Sequence, residues 1–129
     1  MVHPYTNHYR AERINSELVW ATPTFPADRP MQLLVTALVQ CTIITLDSIL
    51  IKQLRTVRSY TISVNAQQRS ALPQIWESIT LAIHCTGTDL DDTALTKALA
   101  LTPRYCPVHV MLAHTAAIHE TISHGDLAQ

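Results

Sequence analysis

The chain has 129 residues, of which 47% are hydrophobic and 15% charged, which favours a single folded domain over residues 1–129 and excludes a disordered chain. A net charge of −1 offers no broad basic surface for nucleic acid, and the two glycines, Gly87 and Gly125, are too few for a phosphate-binding loop. The first residues lack the apolar stretch of a secretory signal, so we expect a cytoplasmic protein whose three cysteines are reactive or buried thiols rather than a disulfide scaffold.

The first half of the chain predicts strand structure followed by a long helix. Residues 8–22 are weakly patterned and predict one or two strands. Residues 31–51 are apolar on nearly every side of a helix, and Pro30 suits a first turn because its missing N–H costs little there. Asp47 and Gln40 interrupt the apolar run, and a carboxylate is costly within a bilayer. We therefore predict a buried core helix and not a membrane span.

A helix that is apolar all round needs cover on more than one side. A single short sheet in so small a domain covers one side only. Symmetric dimers are the most common way to bury a second apolar face. The sequence therefore predicts a homodimer in which a second copy of the chain covers this helix.

Two strands with clear alternation follow the long helix. Residues 60–66 and 75–85 each place every second residue on one apolar face. The members of these two faces are Tyr60, Ile62, Val64 and Ala66 in the first, and Ile75, Ile79, Leu81, Ile83 and Cys85 in the second.

The last third of the chain predicts two helices and a strand. The aspartates of "TDLDD" provide N-cap oxygens for a short helix that ends near residue 99. Thr102 and Pro103 are typical of the cap and first turn of another helix, running to about Ala113. Residues 115–123 predict a final strand. This order of elements predicts an α+β fold.

The three cysteines occupy different settings. Cys85 closes an apolar strand face and is expected to be a buried small hydrophobe. Cys106 lies between Pro103 and Pro107 at a predicted helix start, where the helix dipole lowers a thiol pKa. His109 falls on the same helical face and could stabilise the thiolate. A surface histidine beside an inert cysteine would produce the same pattern.

Two segments about 65 residues apart, "RPMQLLVTALVQCTIITLDSIL" and "YCPVHVML", resemble the OsmC/Ohr family of thiol-dependent peroxidases. The resemblance implies small antiparallel sheets around a long buried central helix, in an intertwined homodimer. It implies that Cys41 is the peroxidatic cysteine and that Cys106 resolves its sulfenic acid as a disulfide. The implied partners are an organic hydroperoxide and a dithiol reductant, with no bound cofactor, nucleic acid or membrane.

The chain departs from the family pattern at two places. Family members hold the reactive thiolate with an arginine in a glycine-containing N-terminal hairpin, and this chain has no glycine before Gly87, so we expect that hairpin motif to be absent. Gln32 stands at the apparent position of the glutamate that orients the arginine. Arg10, Arg13 and Arg29 are available cations, but none matches by motif. The alternative is therefore a catalytically weak or inactive dimer of this fold that binds a small ligand.

Metal binding is a further alternative. His109, His114, His119 and His124 recur every five residues, a spacing that separates neighbours by about 140° on a helix and places them on opposite faces of a strand, so it predicts no shared ligand face. A zinc site formed by Cys41, Cys106 and His109 is a third hypothesis for the chain, since thiolates and imidazole are zinc ligands.

Overall fold

The computed structural model describes residues 3–21 and 29–125, and the α+β prediction is confirmed. Five strands form one sheet in the order β2-β1-β3-β4-β5, with helix α1 packed on one face. The elements are β1 (Tyr5–Ile14), β2 (Glu17–Trp20), α1 (Pro30–Lys52), β3 (Ser59–Gln68), β4 (Trp76–Thr86), α2 (Asp92–Tyr105), α3 (Pro107–Leu112) and β5 (Ala117–Gly125). Residue 22, at the end of the first predicted strand region, lies outside the described residues.

The β1–β2 hairpin exists without a glycine. Its two-residue turn is Asn15 (φ 51°) and Ser16 (φ 72°), and Ile14 pairs with Glu17 across it. Positive φ at both central residues is the geometry that matches the twist of paired strands, and asparagine tolerates it better than most residues. The segment therefore forms a hairpin from two of the predicted strands, without the glycine motif of the family.

Helix α1 is buried along one face and exposed along the other. The buried face packs on the sheet. Opposite to it, Leu33, Leu34, Ile44 and Ile51 are 41–58% exposed in the single chain. Within one chain, the predicted burial of α1 is therefore confirmed on the face toward the sheet but not on the opposite face. Helix α1 is long and apolar enough to cross a membrane, a test that core helices also pass, and half of its most apolar stretch is buried in the protein.

The C-terminus of α1 forms a Schellman motif. The N–H of Arg55 donates to the carbonyl of Leu50 (2.9 Å), and the N–H of Leu54 donates to that of Ile51 (3.0 Å). Leu54 has a φ of 61°, in the left-handed region that glycine adopts most easily, and its side chain is exposed.

Strands β3 and β4 have the predicted alternation. The face of β3 formed by Tyr60, Ile62, Val64 and Ala66 is buried, as are Ile79, Leu81, Ile83 and Cys85 on β4. Ile75 was wrongly placed on this face. A bulge pairs Gln67 with Ser78 but Gln68 with Trp76, so the alternation shifts and Trp76 becomes the buried residue.

The boundary between the last two helices lies at Cys106 and not at Thr102. Asp91 caps α2 by accepting a hydrogen bond from the N–H of Ala94 (2.8 Å), as the sequence predicts. Thr102, however, lies within α2, where its hydroxyl donates to the carbonyl of Ala98 (2.9 Å), and Pro103 follows inside the same helix. Local hydrogen bonding within a helix satisfies Thr102 as well as a cap would.

The sheet is mixed and single, in contrast to the expected set of small antiparallel sheets. β5 pairs with β4 in parallel, from Ser78 opposite Ala117 to Thr86 opposite Gly125. The connection between them contains α2 and α3, which is the kind of crossover that parallel strands require. This crossover places α3 and the start of β5 close to the middle of α1.

Candidate thiol site

Cys41 and Cys106 are brought together although they lie far apart in the sequence. Cys41 is in the middle of α1 and partly exposed, whereas Cys106 is fully buried between α2 and α3. The two thiols are close enough for Cys41 to contribute to the raised pKa of Cys106. The packing of α1 against α2 and α3 therefore brings two cysteines close together, one of them partly exposed.

Cys106 is a weak acid in this setting. Burial is the largest effect and, with the neighbouring Cys41 thiol, raises the pKa of Cys106 to about 11, although the backbone N–H of His109 and the hydroxyl of Thr42 act in the opposite direction. The sequence-based expectation of a lowered pKa was therefore wrong. Helix α3 has only six residues, and removing a thiolate from water outweighs what its first turn offers.

Thr42 lies close to both Cys106 and a buried carboxyl group. Its hydroxyl is near enough to both the Cys106 thiol and Glu120 on β5 to lower the pKa of each. The Thr42 hydroxyl nevertheless makes no hydrogen bond of ordinary length and angle with the Cys106 thiol or with Glu120. The three groups are therefore close to one another without being hydrogen-bonded. Burial raises the pKa of Glu120 to about 7.

Sequence reasoning missed Glu120. Its neighbours on the same strand face, Ile118 and Ile122, both pack against the core. A lone acid in an apolar strand face is unusual because burying a carboxylate is costly. The pattern "AIHETIS" therefore carried a signal that could have found it.

The imidazole of His109 faces Glu120 and not the thiol it was expected to stabilise. Nδ1 of His109 lies 3.8 Å from Oε2 of Glu120, with the two side chains 12% and 6% exposed. This separation is too long for a hydrogen bond. Burial lowers the pKa of His109, so its imidazole is mainly neutral at neutral pH, and raises that of Glu120 to about 7, so its carboxyl group is only partly ionised there; the pair is therefore not a salt bridge.

Gln32 is not part of the thiol pair within the chain. Nine residues of helix separate it from Cys41, about 13.5 Å along the axis and half a turn around it. Gln32 lines a different, polar cavity of about 570 Å³ with Arg29 and Tyr5 among its other residues. Its Oε1 atom is buried there without a hydrogen-bond partner.

The three arginines considered from the sequence have other partners or positions. Arg10 pairs with Glu12 on the surface (2.7 Å), and Arg29 lines the cavity beside Gln32. Arg13 forms a buried ion pair with Asp47 of α1. None of these side chains is placed as a cationic partner of Cys41 within one chain.

Cys85 lies away from the thiol pair, buried on β4 as predicted. Burial, and to a smaller extent the Asp47 carboxylate, raise the pKa of Cys85 to about 12. Residues 3–21 and 29–125 contain no group of three histidine, cysteine or acidic side chains arranged to hold a metal ion. The zinc hypothesis therefore gains no support from this geometry.

Comparison with known proteins agrees with the fold. A profile of the family described as OsmC-like protein matches residues 26–121. The chain belongs to the OsmC-like family. Protein YhfA of Escherichia coli K12 is 32% identical to this OsmC-like chain over 87 residues, which is 67% of the chain and 65% of YhfA. The chain thus matches slightly less than two thirds of that relative.

Solved structures share the OsmC-like fold at low sequence identity. An OsmC-like protein from Mycoplasma pneumoniae has a TM-score of 0.66 at 13% identity, covering 93% of this chain and 96% of its own. The organic hydroperoxide resistance protein OhrB of Bacillus subtilis has a TM-score of 0.62 at 12% identity, covering 95% and 98%. At these identities the likeness shows the fold alone.

Proposed function

We propose that this OsmC-like protein reduces organic hydroperoxides with Cys41 and Cys106, as a cytoplasmic homodimer that a dithiol reductant returns to the reduced state. The observation that carries the proposal is the contact between a partly exposed thiol on α1 and a buried thiol at the α2–α3 junction. The hydroperoxide resistance named for the OhrB structure supports the same role at the level of the family.

The proposed reaction has three steps. The Cys41 thiolate attacks the terminal oxygen of the hydroperoxide, so that the O–O bond breaks, an S–O bond forms and the alkoxide leaves as alcohol after taking up a proton. Cys106 then attacks the Cys41 sulfenic acid, forming an S–S bond and releasing water. A dithiol finally reduces this disulfide by exchange and is itself oxidised to a disulfide.

The exposed side of α1 supports the dimer. Leu33, Ala37, Ile44 and Ile51 recur at spacings of four and seven residues and form one stripe on the side away from the sheet. We call these four residues the α1 stripe. Cys41 borders this stripe, so a second copy packed there would also enclose the peroxidatic thiol and could add a cation to it.

An inactive ligand-binding protein is the second candidate. A groove of about 540 Å³ runs along α1 and α2, with Ile44, Ile49, Leu101 and Tyr105 among its lining residues. The presence of Gln32 in place of a glutamate, and the use of Arg13 by Asp47, favour this reading because Cys41 then lacks an activating cation within the chain.

Thiol counting distinguishes the two candidates. The reduced protein is treated with cumene hydroperoxide, and free thiols are counted after denaturation. The peroxidase proposal expects a loss of two thiols per chain, and no loss would reject it in favour of ligand binding. Cys41→Ser should prevent oxidation, Cys106→Ser should leave a sulfenic acid that a dimedone-type reagent traps, and Cys85→Ser is the matched control that should oxidise normally.

A further inference from the structure

Glu120 is a buried acid with an unpaired carboxyl oxygen. Its side chain is 6% exposed, and its Oε2 atom makes no hydrogen bond. The nearest basic group, Nδ1 of His109 at 3.8 Å, is itself buried and without a hydrogen bond. Buried polar atoms in folded proteins are nearly always hydrogen-bonded, so such a group calls for an explanation other than stability.

The position of Glu120 near Cys106 suggests a functional explanation for its burial. The buried hydroxyl of Thr42 is close enough to the Glu120 carboxyl group and to the Cys106 thiol to lower the pKa of each, and it has no other hydrogen-bond partner among the described residues. Cys106 must lose a proton to become a nucleophile, yet its buried thiol holds that proton tightly, with a pKa of about 11. A nearby group that accepts the proton during the attack would remove this obstacle.

We propose that Glu120 accepts the proton of Cys106, through the hydroxyl of Thr42, when Cys106 attacks the oxidised Cys41. This inference rests on the proposed function, because it assigns a role within the resolving step. The Cys106 proton passes to the Thr42 oxygen as the Thr42 proton passes to the carboxylate. The sulfur lone pair forms the S–S bond, the S–O bond of the sulfenic acid breaks, and the departing hydroxide takes a proton back from Glu120 to become water.

The groups around Glu120 leave it able to change charge near neutral pH. Thr42 and Cys41 face this region from α1, Cys106 from the α2–α3 junction and His109 from α3, while its neighbour on β4 is Leu81. The next ion pair on β5 is His124 with Asp92 (3.1 Å), four residues and about 13 Å further along the strand. The pKa of about 7 for Glu120 fits a group that both accepts and returns a proton.

The resolving step can be measured without peroxide. The reduced protein is mixed with 4,4′-dithiodipyridine, and released thiopyridone is followed by its absorbance. Cys41 reacts first and forms a mixed disulfide, and Cys106 then displaces the second thiopyridone in a step whose rate does not depend on reagent concentration. This second phase reports the nucleophilicity of Cys106 directly.

The expected result is a slower second phase in Glu120→Gln, by about tenfold at pH 7, with the first phase unchanged within twofold. The wild-type rate should rise with a midpoint near pH 7, and the variant should lose this midpoint. Thr42→Val should also slow the second phase, whereas Glu77→Gln, which removes an exposed acid on β4, should leave both phases unchanged. If Glu120→Gln does not fold, Thr42→Val decides the question.

Two outcomes would overturn the inference. One is a second phase with the same rate and pH profile in wild type and Glu120→Gln, or in Thr42→Val if that variant must decide. The other is a wild-type protein that shows no second phase, which would also reject Cys106 as the resolving thiol. Loss of peroxide turnover with a normal, Glu120-dependent second phase would instead reject only the proposed hydroperoxide substrate, so the two failures are distinguishable.

Discussion

Arg13 of β1 and Asp47 of α1 form an ion pair inside the protein, with side chains 8% and 9% exposed. The Tyr60 hydroxyl also donates to Asp47 (2.7 Å), and Nε of Arg13 donates to the carbonyl of Val57 (2.8 Å). These contacts hold the second half of α1 against β1 and β3. They also explain why a carboxylate interrupts the most apolar helix of the chain.

Removing Asp47 should be costly because it leaves the Arg13 charge buried and unpaired. We expect Asp47→Ala to lower the free energy of unfolding by about 3–5 kcal/mol in urea denaturation. Adding Arg13→Ala to that variant should recover part of the loss. Arg10→Ala, which breaks the exposed pair with Glu12, is the control and should change stability by about 1 kcal/mol or less. Equal losses in Asp47→Ala and Arg10→Ala would contradict the argument.

Glu120 should make the protein less stable as the pH rises. Burial raises its pKa from an ordinary 4.5 to about 7 in the folded state. The folded protein therefore holds a proton that the unfolded chain releases, so the contribution to stability is full below pH 4.5 and is lost as the pH rises through 7. This loss amounts to roughly 3 kcal/mol. Denaturation of Glu120→Gln across this pH range should show a flatter profile than wild type, and parallel profiles would exclude a raised pKa.

Leu54 should be replaceable by glycine with a gain in stability. Its φ of 61° strains an L-amino acid, and its side chain is 87% exposed, so little packing is lost. We expect Leu54→Gly to add about 1 kcal/mol, or about 4 °C in melting temperature at fixed protein concentration. Leu54→Ala removes the same side chain but keeps the strain, and should show little change. A similar gain in both variants would mean that the backbone conformation is not the cause.

Cys85 should react far more slowly than Cys41 in the native protein. Its pKa is raised to about 12 by burial, so little thiolate forms at neutral pH, whereas Cys41 is partly exposed. Mass spectrometry after brief iodoacetamide treatment of the folded, reduced chain should find label on Cys41 first. Labelling of Cys85 at a comparable rate would show that β4 opens readily.

A charge on the α1 stripe should separate the proposed dimer. Ile44 is 58% exposed and lies within that stripe. Ile44→Glu should shift the sedimentation coefficient at micromolar concentration from dimer to monomer, because an unpaired carboxylate would be buried at the interface. Leu72→Glu changes an equally apolar residue in the β3–β4 loop and should leave the association unchanged. A monomeric wild type would reject the dimer altogether.

Local patterns predicted most of the secondary structure. The all-round apolar run identified α1, and period-two alternation identified the buried face of β3, because both signals depend only on neighbouring residues. The bulge at Gln67 and Gln68 depends on pairing with another strand, so Ile75 was misplaced. The prediction that Thr102 caps a helix was wrong for a different reason. Its hydroxyl is hydrogen-bonded inside a helix as readily as it would be at a helix start.

The proximity of Cys41 and Cys106 was predictable from the sequence, but Glu120 and the electrostatics of the site were not. The family motifs indicated Cys41 and Cys106 together. The raised pKa of Cys106 arises from burial at the α2–α3 junction, which packs against α1, and no local pattern encodes this burial. The role of Arg13 likewise depended on a contact with Asp47, 34 residues away in the chain.

The crossover that brings Cys106 to Cys41 also has a consequence for the thermal stability of the protein. A disulfide between them would close a loop of about 65 residues and so restrict the unfolded chain, which in entropic terms stabilises the folded state by about 4 kcal/mol. If Cys41 and Cys106 react with peroxide as proposed, the oxidised form would then be the more thermally stable one. Reduction of the disulfide would return the protein to a form of lower thermal stability, so that thermal stability would increase with exposure to oxidant.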